Sequence, residues 1–441
     1  MTLIELSATE ATRKIRDGEI TSEELVKACL ARIDQVDDEI QAWATLKPEH
    51  ALDQARMLDA QRAKGGPVGP LHGIPVGVKD IFDTKSMPTE NGTVLDSGRQ
   101  PHEDCTVVSL LKEAGAVIMG KTVTTELAVF GPGKTTNPHN SAHTPGGSSS
   151  GSAAAVASFM VPLAIGTQTN GSMIRPASYC GIMGFKPTHG LIPRTGVLTA
   201  SSPLDTIGTF ARSIEDIALI TEALVAYDPS DTATRARACP ALLETLATEP
   251  PMRPMVAFAK TAVWDQADAA TQEAFEELVD LLGDDCRDLP LSEPFDHVVA
   301  MHRNIMNADL AKNYAGYYDK GKDKLTDTLC QMIEFGQKVS AVDYNTAIDG
   351  QDLLNSGLDM VFEYYDIIIT PATTGEAPLG LEATGSPIFN TLATYCGVPS
   401  ITLPLMEGAN GLPLGVQVIG PRDDDARLLR NANWLMQRIL G

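Results

Sequence analysis

The sequence predicts an α/β fold, and three features predict it. Short apolar runs of strand length, at 71–83, 116–120, 161–168, 367–369, 399–404 and 411–420, alternate with longer stretches whose apolar residues recur at helical spacing. Residues 135–174 contain no Asp, Glu, Lys or Arg, which suits core wrapped around a site. No repeat or low-complexity linker divides the 441 residues, so one domain spanning 1–441 is expected, although that length would hold two or three average domains.

Residues 1–65 read as helices. Thr21 and Glu24 form a capping-box pair, and Leu25, Ala28, Cys29, Ile33 and Val36 follow near helical spacing. Residues 71–83 read as a buried strand leading into a turn, punctuated by Gly73, Pro75 and Gly77, with Lys79 among apolar neighbours. A buried lysine loses stability as an ammonium ion, so its pKa falls and it becomes a usable general base. Residues 107–119 read as a helix followed by a buried strand. The Gly120-Lys121-Thr122 that ends this stretch lacks the leading glycine and spacer of a nucleotide loop. His139 and His143 have no accompanying carboxylate or cysteine cluster, so they read as loop histidines and no metal site is expected.

The densest region, 145–188, holds two small-residue turns that both carry serine: Pro-Gly-Gly-Ser-Ser-Ser-Gly-Ser from Pro145, and Thr-Gln-Thr-Asn-Gly-Ser from Thr167. The first turn opens a predicted helix over 152–160, and the second follows the strand over 161–168. Glycines there let backbone N–H groups approach a ligand, and a serine beside such a turn becomes a nucleophile once a base removes its proton. Further on, Tyr365-Asp-Ile-Ile-Ile-Thr-Pro371 reads as a strand ending at Thr370-Pro371, and Phe389-Asn-Thr391 as a helix start. The strand at 411–420 is expected to close the sheet, with a last helix over 424–440. Residues 220–360 look mostly helical.

With Gly-Ile-Pro-Val-Gly-Val-Lys79-Asp, Gly-Gly-Ser148 and Thr-Asn-Gly-Ser172 in order, and the two serines 24 positions apart, the chain resembles the amidase-signature hydrolases. That family includes bacterial amidases, fatty-acid amide hydrolase and the amidase subunit of the tRNA-dependent amidotransferase. The resemblance is strongest over 66–190, clear over 366–421 and weak over about 220–360. It implies a large mixed β-sheet covered by helices on both faces, within one domain: N-terminal helices 1–65, signature core 66–215, a divergent, mostly helical, substrate-shaping region 216–360, and the C-terminal core 361–441.

By motif match it implies a Ser-cisSer-Lys triad of Ser172, Ser148 and Lys79, and an oxyanion hole from the backbone N–H groups of Thr169, Asn170, Gly171 and Ser172. It also places Leu127, Phe130, Gly131, Gly147, Ile174 and Pro371 along the substrate pocket. No metal or organic cofactor is called for. N-terminal helices of this family pack on the core or on a second subunit, so a homodimer is allowed.

Two departures stand out. The family's Asp-x-Gly-Gly-Ser reads Gln168-Thr-Asn-Gly-Ser172, and its Ser-Ile-Arg-x-Pro reads Ser172-Met-Ile-Arg175-Pro176, with the arginine shifted by one. Asn170 tolerates positive φ better than most residues, and a hole built from backbone atoms survives the change. The shifted arginine is given no role. These departures and the short interval from Lys79 to Ser148 point away from the amidotransferase branch of the family.

The implied function is an amidase (EC 3.5.1.-) acting on a small or aryl amide or anilide. A carbamate (urethane) or ester hydrolase with the same triad is the near alternative, and a partner-dependent, amidotransferase-type subunit the further one. Composition agrees: hydrophobic and charged shares of 43% and 21% are ordinary for a globular protein. A net charge of −23 disfavours nucleic-acid partners and anionic membranes. Seven scattered cysteines without a CxxC pair, and no secretory n-region, suit reduced thiols in the cytoplasm.

Overall fold

The computed structural model describes residues 2–441. Among them runs one mixed sheet of eleven strands. In chain order these are β1 (Trp43–Leu46), β2 (Pro75–Lys79), β3 (Val117–Thr122), β4 (Leu163–Gln168), β5 (Met183–Lys186), β6 (Thr206–Ala211), β7 (Val256–Phe258), β8 (Cys286–Asp288), β9 (Ile367–Pro371), β10 (Ser400–Glu407) and β11 (Pro413–Ile419). Their spatial order is β1-β3-β2-β4-β6-β5-β10-β11-β9-β7-β8. β3, β2 and β4 run parallel to one another, as do β9, β7 and β8, and the pairs between these trios are antiparallel.

Both faces of the sheet are covered. In β9, Ile367 and Ile369 join one apolar cluster while Ile368 joins the other; in β7, Val256 and Phe258 divide from Ala257 in the same way. A strand points alternate side chains to opposite faces, so two clusters mean two packed layers. A strand buried on both sides reads as a continuous apolar run rather than an alternation, which is why β2, β3 and β4 stand out in the sequence.

The Thr21 box is present, with Glu24 N donating to Thr21 Oγ1 at 3.1 Å and Thr21 N to Glu24 Oε2 at 2.8 Å. It opens the helix Ser22–Ile40. Two expectations need correction. Residues 1–65 are not all helical, because β1 lies between the helices Ser22–Ile40 and Pro48–Ala63 and pairs antiparallel with β3 at the sheet edge. Gly120 makes room for this pairing: a Cβ there would sit 2.9 Å from the Trp43 ring. The divergent region is mostly helical, as expected, and adds β7 and β8, three residues each and too short to show a period. Finally, the strand at 413–419 does not close the sheet. It lies inside it, between β10 and β9.

Candidate active site

Three parallel strands set the site. The carboxyl ends of the parallel β3, β2 and β4 point the same way, and loops outside the carboxyl ends of such strands are where α/β proteins place their chemistry. Lys79 is the last residue of β2 and is wholly buried. Its Nζ lies 2.8 Å from Ser148 Oγ and 2.8 Å from Thr167 Oγ1 on β4. Burial pushes its pKa well below that of an ordinary lysine, and the charge of Asp205 opposes this only in part. Lys121, on the adjacent strand β3, makes a useful contrast. It is equally buried but lies 3.1 Å from the Asp80 carboxylate and also donates to Phe82 O and Thr89 Oγ1. Lys79 faces two hydroxyls instead, which hydrogen-bond with it without bringing a counter-charge.

The first serine turn divides its labour. The Gly147–Ser148 peptide bond is cis, and Ser148 O accepts from Thr125 N at 3.1 Å. Only Ser148 of this tract meets the lysine. Ser149 Oγ bonds the Thr167 carbonyl at 3.2 Å, and Ser152 Oγ the Ile165 carbonyl at 2.9 Å. These bonds stitch the helix Ser150–Ala157 to β4.

The second turn, 169–172, links β4 to the helix Ile174–Cys180, and three of its backbone carbonyls are held by hydrogen bonds. Thr169 O accepts from His302 Nε2 at 2.8 Å. Asn170 O accepts from Thr394 Oγ1 at 2.5 Å, and Gly171 O from Arg175 N at 2.9 Å. In a planar trans peptide the carbonyl and the following N–H point in opposite directions. Holding these three oxygens therefore turns the N–H groups of Asn170, Gly171 and Ser172 away from His302, Thr394 and Arg175. Ser172 itself is 8% exposed. Gly171 is required by packing, since a Cβ would fall 2.2 Å from Asn390 Oδ1.

The two departures find physical roles. Gln168 Oε1 accepts from the N–H groups of Met173 and Ile174 at 2.8 and 3.1 Å, and its Nε2 donates to Thr394 Oγ1 at 2.9 Å. An amide does both jobs, whereas a carboxylate would only accept. Asn170 does not need a left-handed backbone. Positive φ falls instead at Leu127 (46°) and Ala128 (59°), and the Asn170 side chain accepts from Thr391 Oγ1 at 3.0 Å.

Arg175, which the motif comparison leaves without a role, is buried and spans both turns. Its guanidinium donates to Gly147 O at 2.7 Å, Thr384 Oγ1 at 3.2 Å and Gly385 O at 3.1 Å. Desolvation brings its pKa down to about 10. Its position on the first turn of the helix after Ser172 was the available signal. Asp205, which no sequence motif marks, accepts from Thr169 Oγ1 at 2.6 Å and from the N–H groups of Ala200 and Ser201 at 2.9 Å each.

The space beside Ser172 is small, about 10 Å³, and is lined by Ala128, Val129, Phe130, Met306 and Pro387 together with 169–172 and Arg175. Of the residues assigned to a substrate pocket, Phe130 lies on this wall. The others do not. Leu127 is buried with its carbonyl taken by Tyr314 Oη at 2.8 Å, and Ile174 is buried within its helix. Gly131 packs on Thr326, Gly147 packs on Thr384 and Thr125, and Pro371 pairs with Val416 inside the sheet. A larger cavity of about 250 Å³ shares Ala128 and Thr169 with this wall and reaches Thr167 and Asp205. His139 and His143 bond the carbonyls of Cys180 and Ala377, at 2.9 and 2.7 Å.

Against known proteins, the Amidase family profile matches residues 24–429. The A-type subunit of glutamyl-tRNA(Gln) amidotransferase from Streptomyces coelicolor is 33% identical over 472 residues, covering 97% of this chain and 95% of that one. The solved structure described as a vestigial protein complex that reveals the origins of an s-triazine catabolic enzyme superposes with a TM-score of 0.91 at 26% identity, covering 98% of both chains. Native peptide amidase from Stenotrophomonas maltophilia superposes with a TM-score of 0.86 at 27% identity, covering 99% of this chain and 97% of that one. The helices include none long and apolar enough to cross a membrane, among the described residues.

Proposed function

The chain belongs to the Amidase family, and from that premise we propose that it hydrolyses the C–N bond of a small or aryl carboxamide through an acyl-enzyme on Ser172. The observation that carries the reading is the buried Lys79, with hydroxyls of Ser148 and Thr167 as its polar contacts. A neutral amine has two N–H bonds and one lone pair. With an N–H donated to Thr167, the lone pair is free to take the Ser148 proton, and Ser148 in turn takes the proton of Ser172. Ser172 Oγ then attacks the carbonyl carbon. The backbone N–H groups of Thr169, Asn170, Gly171 and Ser172 receive the oxyanion, each donor contributing roughly 3 kcal/mol in comparable sites. The proton returns along the same route to the leaving nitrogen, and water releases the acid.

The wall beside Ser172 supports an uncharged substrate. Val129, Phe130, Met306 and Pro387 are apolar, and Nη1 and Nη2 of Arg175 already donate to three protein oxygens. Carbamates and esters would use the same relay. A second reading, an amidotransferase component that needs a partner, draws support from the 33% identity to the Streptomyces coelicolor amidotransferase protein.

The test is turnover of an anilide, a primary amide, an aryl carbamate and an ester that share one aryl group, with Ser172→Ala as blank and glutamine as a separate substrate. Hydrolysis of the amides by the wild type alone is expected. Faster hydrolysis of the carbamate or ester would move the assignment to those classes, and glutamine cleavage that appears only with an added partner would favour the second reading.

A further inference from the structure

We infer that His302 is a positioning residue for the oxyanion-binding turn, and that through it the divergent region both shapes the substrate wall and aligns the reacting centre. This rests on the reading of Ser172 as the nucleophile. His302 sits on the helix Val298–Asn313, far from the signature motifs in sequence and 2% exposed. Its Nε2 lies 2.8 Å from Thr169 O. A carbonyl oxygen only accepts, so Nε2 carries the proton and donates. Burial keeps the ring neutral by pushing its pKa down to about 4.

The bond acts on the peptide that joins Thr169 to Asn170. With that oxygen held on the helix side, the Asn170 N–H faces the other way. Without His302, the oxygen would be buried and unpartnered, and the peptide could rotate to find another donor at the cost of the N–H direction. A second hold stands next to it: Thr394 Oγ1 fixes the following carbonyl, Asn170 O, from the helix Thr391–Tyr395, which packs against Val298–Asn313.

One helix face then does two things. Met306 lies one turn after His302, at the i+4 position that shares its face, and it lines the space beside Ser172. A substrate pressing on Met306 therefore presses on the helix that carries the oxyanion-turn anchor. This gives residues 298–313, where the family resemblance is weakest, a direct mechanical connection to the chemistry as well as to substrate fit.

The experiment compares His302→Ala, His302→Gln and wild type by kcat, KM and the rate at which a fluorophosphonate labels Ser172. The reagent forms a tetrahedral oxyanion-like adduct, so its rate reads the hole without an amide substrate. For His302→Ala we expect kcat and labelling to fall roughly 10- to 100-fold, somewhat less than outright loss of an oxyanion donor, with KM within about twofold. His302→Gln, whose side-chain N–H₂ can reach the same carbonyl, should recover most of both rates. A rise in KM with kcat unchanged, or a Gln variant no better than Ala in a folded protein, would overturn the inference. If the wild type labels but hydrolyses no amide, the amide reading fails while the labelling ratios still decide the role of His302.

Discussion

Replacing Thr167 with valine tests the relay at its least conspicuous member. Valine fills nearly the same volume, so the change removes one hydroxyl and leaves the packing around β4 in place. The backbone contacts of residue 167 to Ser149 Oγ, through its N–H at 3.3 Å and its carbonyl at 3.2 Å, do not involve the side chain. What disappears is the 2.8 Å contact from Lys79 Nζ to Thr167 Oγ1. A buried hydrogen bond of this type is worth about 1–2 kcal/mol. Because that bond also orients the lone pair of the neutral amine, most of its value should appear in the barrier. At about 1.4 kcal/mol per factor of ten, kcat/KM should fall roughly 5- to 30-fold. The hydroxyl oxygen also favours the ammonium over the amine, so its loss should lower the Lys79 pKa and move the acid limb of the pH–rate profile to lower pH. Thr167→Ser should retain both rate and profile. Wild-type rates in Thr167→Val, or an equal loss in Thr167→Ser, would refute the orienting role.

Three further outcomes are expected. Gly171→Ala would place a methyl group 2.2 Å from Asn390 Oδ1, and Asn390 is held by Ala372 O at 2.9 Å; displacing the turn by even ~1 Å should cost about 100-fold in kcat/KM, with a smaller effect on thermal melting. Lys79→Met should abolish hydrolysis yet raise the melting temperature at neutral pH. Burial lowers the native lysine's pKa well below that of the unfolded chain, so between the lowered native pKa and about 10.5 the unfolded chain binds more protons, wild-type stability rises with pH, and the advantage of the variant should shrink over that window. Arg175→Met leaves the carbonyls of Gly147 and Gly385 without their donor and should reduce stability by about 2 kcal/mol, read from the urea midpoint.

How much of this the sequence revealed depended on the range of each interaction. β2, β3 and β4 were visible because burial on both faces leaves an unbroken apolar run, and the Thr21 cap because its two partners are three residues apart. The contact between Lys79 and Ser148 spans 69 residues, and no local pattern encodes it; only the resemblance of the motifs brought the two together. His302 and Thr394 reach the 169–172 turn across 133 and 224 residues with no such motif around them, so nothing marked either one. Leu127 and Ile174 sit beside residues that line the Ser172 wall, yet both are fully buried and neither lines it, a distinction between neighbours that hydrophobicity alone does not draw. The short β1, β7 and β8 were lost for a different reason: three or four residues are too few to display a period of two.

The central claim is that Ser172 carries the acyl group. The most direct measurement is an acid quench during turnover of an activated amide or anilide, followed by peptide mass mapping. The account predicts the acyl mass increment on the peptide holding Ser172, abolished in Ser172→Ala and accumulating only slowly in Lys79→Met. An increment on Ser148, or steady turnover by Ser172→Ala at the wild-type rate, would contradict it.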